Sequence, residues 1–168
     1  MGRDFGRVVN FSRKAYSVVS VILLCEILAQ FYFIAALAFP AWLADDNEKS
    51  VAKAVEGAGI FAGLHSLNGT LVIPITMLVL VGLSFASRYS WRTTGLTAVL
   101  LGLLVIQFLL ALAGFNKLAF IAGFHAVNAI LLVTYTAWTV RRNWAFGRNA
   151  AAASARATGR VIAVEQRA

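Results

Sequence analysis

Four long apolar stretches constrain the fold of this chain more than any other feature of its sequence. They cover roughly residues 16–40, 57–86, 94–115 and 118–140. A helix needs about 20 mostly apolar residues to cross a bilayer, and each stretch is long enough. None shows the apolar-polar alternation that is typical of barrel strands, so helices are the expected structure. The sequence therefore predicts an all-α integral membrane protein.

The composition agrees with this class and limits the domain count. Hydrophobic residues make up 60% of the chain and charged residues 13%, against roughly 45–50% and about 25% in soluble domains. The 168 residues predict one domain. We assign residues 1–145 to a four-span transmembrane bundle and residues 146–168 to a basic, disordered cytoplasmic tail. The lone cysteine, Cys25, excludes a disulfide or a thiolate metal cage within one chain.

The basic residues predict the orientation of the helices. Twelve of the 15 Lys and Arg residues lie before the first stretch, between the second and third, or after the fourth. The other three are Lys49, Lys53 and Lys117. Because cytoplasmic segments are enriched in Lys and Arg, both termini are predicted to be cytoplasmic, as in a multi-pass protein of a bacterial inner membrane. The net charge of +8 thus indicates membrane topology and not nucleic-acid binding.

A repeated motif contains the two histidines of the chain. The segment 62–69 (AGLHSLNG) matches the segment 122–129 (AGFHAVNA) with Ala, Gly, His and Asn identical, and Gln30-Phe31 corresponds to Gln107-Phe108 in the preceding stretches. The chain therefore reads as two repeated helical hairpins. We predict that they assemble as an up-down four-helix bundle with a pseudo-twofold axis along the membrane normal.

The repeat predicts a metal site between His65 and His125. Both histidines lie at a similar depth, roughly 10–12 Å below the outer surface. The second and fourth helices of an up-down bundle are diagonal neighbours, at a distance of about 11–14 Å that two imidazoles and one metal can bridge. Two imidazoles suit a haem iron better than zinc, which normally has four ligands. Small residues on the same helix faces leave room for a flat macrocycle, namely Ala62, Gly69, Ala122 and Ala129.

Other polar residues of the spans have two interpretations each. Asn68, Asn128, Gln30 and Gln107 could contact a bound cofactor or form hydrogen bonds between helices. Glu26 is the one charged residue inside a span, and we expect a neutral, hydrogen-bonded carboxyl, with a proton path or a quinone site as alternatives. Pro74 is expected to bend the second helix.

The four-span layout and the histidine placement resemble one four-helix half of haem A synthase. That resemblance implies that His65 and His125 are axial ligands of haem b. The chain departs from the family in having one bundle, no acidic residue close to His65 and no outer cysteine pair, which argues against haem A synthesis itself. The chain is also similar to small uncharacterised four-span bacterial membrane proteins with Gln-Phe and His-x-x-Asn motifs.

The leading functional hypothesis is a b-type haem protein that transfers single electrons, with membrane lipid around it and a quinone or a redox protein as partner. No catalytic constellation is present, so an electron carrier is favoured over a stand-alone enzyme. An oligomer or a subunit of a larger membrane complex is compatible with the sequence. Three alternatives remain open: a site for a chlorophyll-like pigment, a non-enzymatic accessory or scaffold subunit, and a small transporter with a polar intramembrane cavity.

Overall fold

The computed structural model describes residues 2–46 and 50–147, and all regular secondary structure in them is helical. The disorder predicted for the tail falls almost wholly on residues 148–168, outside the described part. The helices are α1 (Gly2–Asp46), α2 (Val51–Gly57), α3 (Gly59–Leu67), α4 (Ile73–Ala86), α5 (Trp91–Phe115) and α6 (Ala119–Asn143). A π-helical turn, Asn68–Val72, joins α3 to α4. Four helical stretches are long and apolar enough to span a membrane, which agrees with the four predicted stretches.

The helices pack in the order expected of a square bundle. The α1 helix contacts α4 and α6, and α5 contacts the same two helices. Within the described residues, no Cα of α1 lies within 8 Å of α5, and none of α4 lies within 8 Å of α6. The second and fourth apolar helices are therefore diagonal neighbours.

The core is closed only in one half of the bundle, which we call the proximal half. Its fully buried residues fall within 12–27 of α1, 73–87 of α4 and the turn after it, 94–104 of α5 and 128–143 of α6. Small hydroxyl side chains recur at these contacts and allow close approach of the helices. Those at most 2% exposed are Ser17, Ser20, Ser84, Ser87, Thr97, Thr136 and Thr139.

Tyr16 is the largest side chain in this core and connects diagonal helices. It is 0% exposed, and its hydroxyl lies 2.7 Å from Thr97 Oγ1 on α5. Its ring meets Tyr89 edge-on, with the ring centroids 5.2 Å apart. A single side chain thus fills the space between helices that do not touch through their backbones.

The other half of the bundle, which we call the distal half, comprises residues 28–46, 51–72 and 105–127. Of the residues described there, only Ala44 and Ala58 are fully buried, where α2 packs on the end of α1. No Cα of α3 comes within 8 Å of α5 or α6. The two hairpins therefore pack tightly near the proximal end, and in the distal half α3 stays apart from the second hairpin.

Two local features differ from the sequence-based expectations. The α1 helix runs without interruption through Pro40 to Asp46, beyond the first apolar stretch. Residues 51–57, in the connection between the first two apolar stretches, form the additional helix α2. Pro40 removes one backbone donor, which a long helix with packed flanks tolerates. At Pro74 the adjustment is a π-helical turn, in which the Ile73 amide donates to the Asn68 carbonyl five residues earlier.

We expect Tyr16→Ala to destabilise the bundle by about 3–5 kcal/mol, because it opens a cavity in the closed core. Tyr16→Phe keeps the volume and loses one hydrogen bond, at a cost of about 1 kcal/mol. Tyr32→Ala on the same helix is the matched control, because Tyr32 is 62% exposed. Thermal unfolding in detergent, followed by circular dichroism, measures all three. Equal losses for Tyr16→Ala and Tyr32→Ala would show that the core is elsewhere.

Candidate functional site

In the first hairpin, Gln30 and Asn68 connect α1 to the segment around His65. Gln30 Nε2 donates to the His65 carbonyl at 3.1 Å, and Asn68 Nδ2 donates to the Glu26 carbonyl at 2.9 Å. The backbone of Gln30 also lies beside the imidazole of His65. The glutamine and the asparagine predicted from the motif therefore both contact the opposite helix of their hairpin.

In the second hairpin, the same residue types make corresponding contacts. Asn128 Nδ2 donates to the Leu103 carbonyl at 2.9 Å and to Gln107 Oε1 at 2.6 Å. His125 Nδ1 lies 3.1 Å from the Gln107 carbonyl. Because a carbonyl oxygen only accepts, Nδ1 carries the proton in this pair, and Nε2 is left with its lone pair. This is the tautomer that suits a metal ligand whose orientation is fixed by the backbone.

The two sets of contacts coincide in register. Each asparagine follows its histidine by three residues, and each binds the carbonyl four residues before its glutamine, Glu26 in one hairpin and Leu103 in the other. That carbonyl can accept a second hydrogen bond because it has two lone pairs. The agreement extends the sequence match of the two hairpins to pairs of contacting atoms.

The histidines occupy equivalent places relative to the closed core. Gln30 follows the buried Ile27 by three residues, and Gln107 follows the buried Leu104 by three. Each histidine packs beside its glutamine, so both lie about one helical turn into the distal half. Both are half-buried. The two histidines thus occupy equivalent positions in their hairpins, on helices that are diagonal neighbours.

The small residues near the histidines do not share one environment. A Cβ at Gly69 would lie 2.8 Å from Gln30 Nε2, so Gly69 makes room for the Gln30 amide. Ala122 packs against Gly114 of α5. Ala62 is exposed, and Ala129 is half-buried. Close packing within each hairpin therefore accounts for Gly69 and Ala122, and the face around Ala62 and Ala129 is the part with free space.

Some polar atoms near His65 have no hydrogen-bond partner in the described part of the chain, although the equivalent atoms of the second hairpin have one. Six side-chain atoms are buried without a hydrogen-bond partner among the described residues, and three of them lie near His65, namely Glu26 Oε2, Gln30 Oε1 and His65 Nδ1. Their counterparts Gln107 Oε1 and His125 Nδ1 are both engaged. Buried polar atoms without a partner are costly, and they often mark a place where a ligand or water completes the set.

Glu26 faces a groove that the sequence did not predict. Thr76 Oγ1 donates to Glu26 Oε1 at 3.0 Å. Beside this pair, an open groove of about 410 Å³ lies between α1 on one side and α3 with the π-helical turn on the other. Its lining residues are Cys25, Glu26, Ala29, Phe33, Leu64, Leu67, Asn68 and Val72. The signal available in the sequence was the charge of Glu26 alone, because the groove depends on how α1 packs beside the π-helical turn.

The donor set limits the metals that the site could hold. Within the described residues, no group of three or more His, Cys, Asp and Glu side chains lies together. A structural zinc ion would need such a group, whereas an iron in a macrocycle needs only two axial donors from the protein. The pair His65 and His125 therefore fits a haem better than a bare ion.

Comparisons with known proteins leave this geometry as the basis for any functional statement. No family model, no curated protein and no solved structure matches the chain.

Proposed function

We propose that the four apolar helices cross a membrane, with the proximal half of the bundle on the cytoplasmic side. The basic residues support this orientation, because Arg13, Arg88, Arg92, Arg141 and Arg142 all lie at the proximal end. Arg13 also donates to the Ser87 carbonyl. Trp138 lies near the same end, with the Arg142 guanidinium 5.0 Å from its ring. Aromatic and cationic side chains together are typical of a membrane interface.

We further propose that the chain binds one b-type haem between His65 and His125 and transfers single electrons. The observation that carries this proposal is the matched pair of histidines, each in contact with a glutamine of the preceding helix, at equivalent positions of the two hairpins. The corresponding contacts of Asn68 and Asn128 support the idea that the two hairpins are a structural repeat. A repeat of this kind gives two equivalent ligands on opposite sides of a flat group.

The residues of the chain have separable tasks in this proposal. The Gln107 carbonyl fixes the His125 ring and leaves Nε2 free to bind iron. Asn128, on the same helix as His125, supports that contact by donating to Gln107 Oε1 and to the Leu103 carbonyl. When bound, a haem with both axial positions filled supplies one-electron chemistry and has no free position for oxygen.

The orientation can be tested with single cysteines in a Cys25→Ser background. We expect Ser50→Cys and Asn116→Cys to react with a membrane-impermeant maleimide on intact cells, because both lie in distal turns. Ser90→Cys lies in a proximal turn and should react only after permeabilisation. The reverse pattern would invert the proposed topology, and equal labelling of all three in intact cells would contradict four spans.

Haem binding can be tested by a visible absorption spectrum of the purified protein with and without dithionite. We expect a sharp reduced-minus-oxidised difference, and at least a tenfold lower haem content in His65→Leu and in His125→Leu. His65→Met and His125→Met should retain haem with an altered spectrum, because methionine also binds haem iron axially.

Phe124→Leu is the matched control for these variants, because Phe124 adjoins His125 and is 49% exposed. It should leave the haem content unchanged. Colourless protein from haem-replete cells would overturn the proposal. So would leucine variants with the haem content of the unmodified chain, and in that case the histidines would serve as hydrogen-bonding groups in a scaffold.

A further inference from the structure

The groove beside Glu26 is separate from the space between the histidines. It lies between α1 on one side and α3 with the π-helical turn on the other. Neither His65 nor any residue of α5 or α6 lines it. Its volume of about 410 Å³ falls in the range of small-molecule sites. Apart from the Glu26 carboxyl and the Asn68 amide, its walls are apolar, with Phe33 and Leu64 on opposite sides.

The hydrogen bonds of Glu26 define what kind of ligand the groove can satisfy. Thr76 donates to Oε1, and Oε2 is buried without a partner among the described residues. Asn68 Nδ2 already donates to the Glu26 carbonyl. In apolar surroundings the neutral carboxyl is the favourable form, and its proton then lies on Oε2 because Oε1 is the acceptor. Because Glu26 lines the groove, a rotation of its carboxyl would bring this one hydrogen-bond donor within reach of a ligand there.

The position of Glu26 along α1 restricts the ligand further. Glu26 lies roughly 15 Å along the helix from Tyr16 and about 20 Å from Pro40, the ends of the apolar stretch. Phospholipid head groups and fatty-acid carboxylates stay at the membrane surface and do not reach this depth. A neutral ring with carbonyl oxygens and an apolar tail can enter the bilayer core and accept the Oε2 hydrogen.

We propose that this groove binds the ring of a lipid-soluble quinone, with Glu26 donating a hydrogen bond to one ring carbonyl. The ring lies between Phe33 and Leu64. The proposal rests on the membrane location proposed above, but it does not require haem. It also places a redox-active molecule on the neighbouring face of the helix that carries His65, since Leu64 and Asn68 are groove residues.

The test uses the full-length chain in nanodiscs and a photoreactive azidoquinone with a decyl tail, with mapping of the cross-links by mass spectrometry. We expect cross-links within residues 25–33 and 64–72, and their loss when decylubiquinone is added in excess. Glu26→Leu should lower the cross-linking yield at least tenfold. Glu26→Gln should keep it within about threefold, because the amide supplies the same donor and acceptor.

Two tryptophan variants test the location without altering Glu26. Ala29→Trp fills the groove and should abolish cross-linking, whereas Ala35→Trp, at an exposed position of α1 outside the groove, should not. Cross-links spread over the apolar surface, or yields unaffected by Ala29→Trp or Glu26→Leu, would overturn the proposal. Equal competition by oleic acid would show that the groove accepts acyl chains instead. The haem spectrum is measured independently, so failure of either proposal leaves the other open.

Discussion

The structure depends on how polar side chains between the apolar helices find hydrogen-bond partners on neighbouring helices. Four apolar helices satisfy their own backbones, but each polar side chain among them needs a partner on a neighbouring helix. Asn68 and Asn128 meet that need by donating to backbone carbonyls across their hairpins. Such bonds add modest energy, about 0.6 kcal/mol on average in membranes, but they fix the relative position of two helices. The histidines are placed by these contacts.

The sequence was sufficient to predict the four helices and the match between the motifs of the two hairpins. It did not predict which atoms form each hydrogen bond. Apolar length predicted four helices, because an apolar span must satisfy its own backbone hydrogen bonds. The last three lie close to the predicted bounds, whereas α1 extends beyond residues 16–40 at both ends, from Gly2 to Asp46. The repeat predicted that Gln30 and Gln107 would accompany the histidines. It could not show that the Gln30 side chain donates to the His65 carbonyl or that the Gln107 carbonyl accepts from the His125 ring, because a motif does not specify which atoms meet. The haem itself stays a prediction.

The π-helical turn shows why one hairpin cannot copy the other completely. Pro74 has no counterpart in α6, and the turn before it shifts the register between α3 and α4. On that side Gln30 Oε1 and His65 Nδ1 are without partners, whereas the corresponding atoms of the second hairpin are engaged. π-helical turns are frequent at functional sites because they displace side chains from regular helical positions. The first hairpin is thus the more adaptable half of the repeat, and it also contains the Glu26 groove.

The division between a well-packed proximal half and a less packed distal half separates the residues that stabilise the bundle from those of the proposed haem site. Small hydroxyl residues bring the helices together in the proximal half, where Tyr16 spans the diagonal. The distal half contains few fully buried side chains. Stability and binding often compete for the same residues. If haem binds as proposed, the two are separated along the helix axes, so changes near Tyr16 act on stability and changes near His65 on binding.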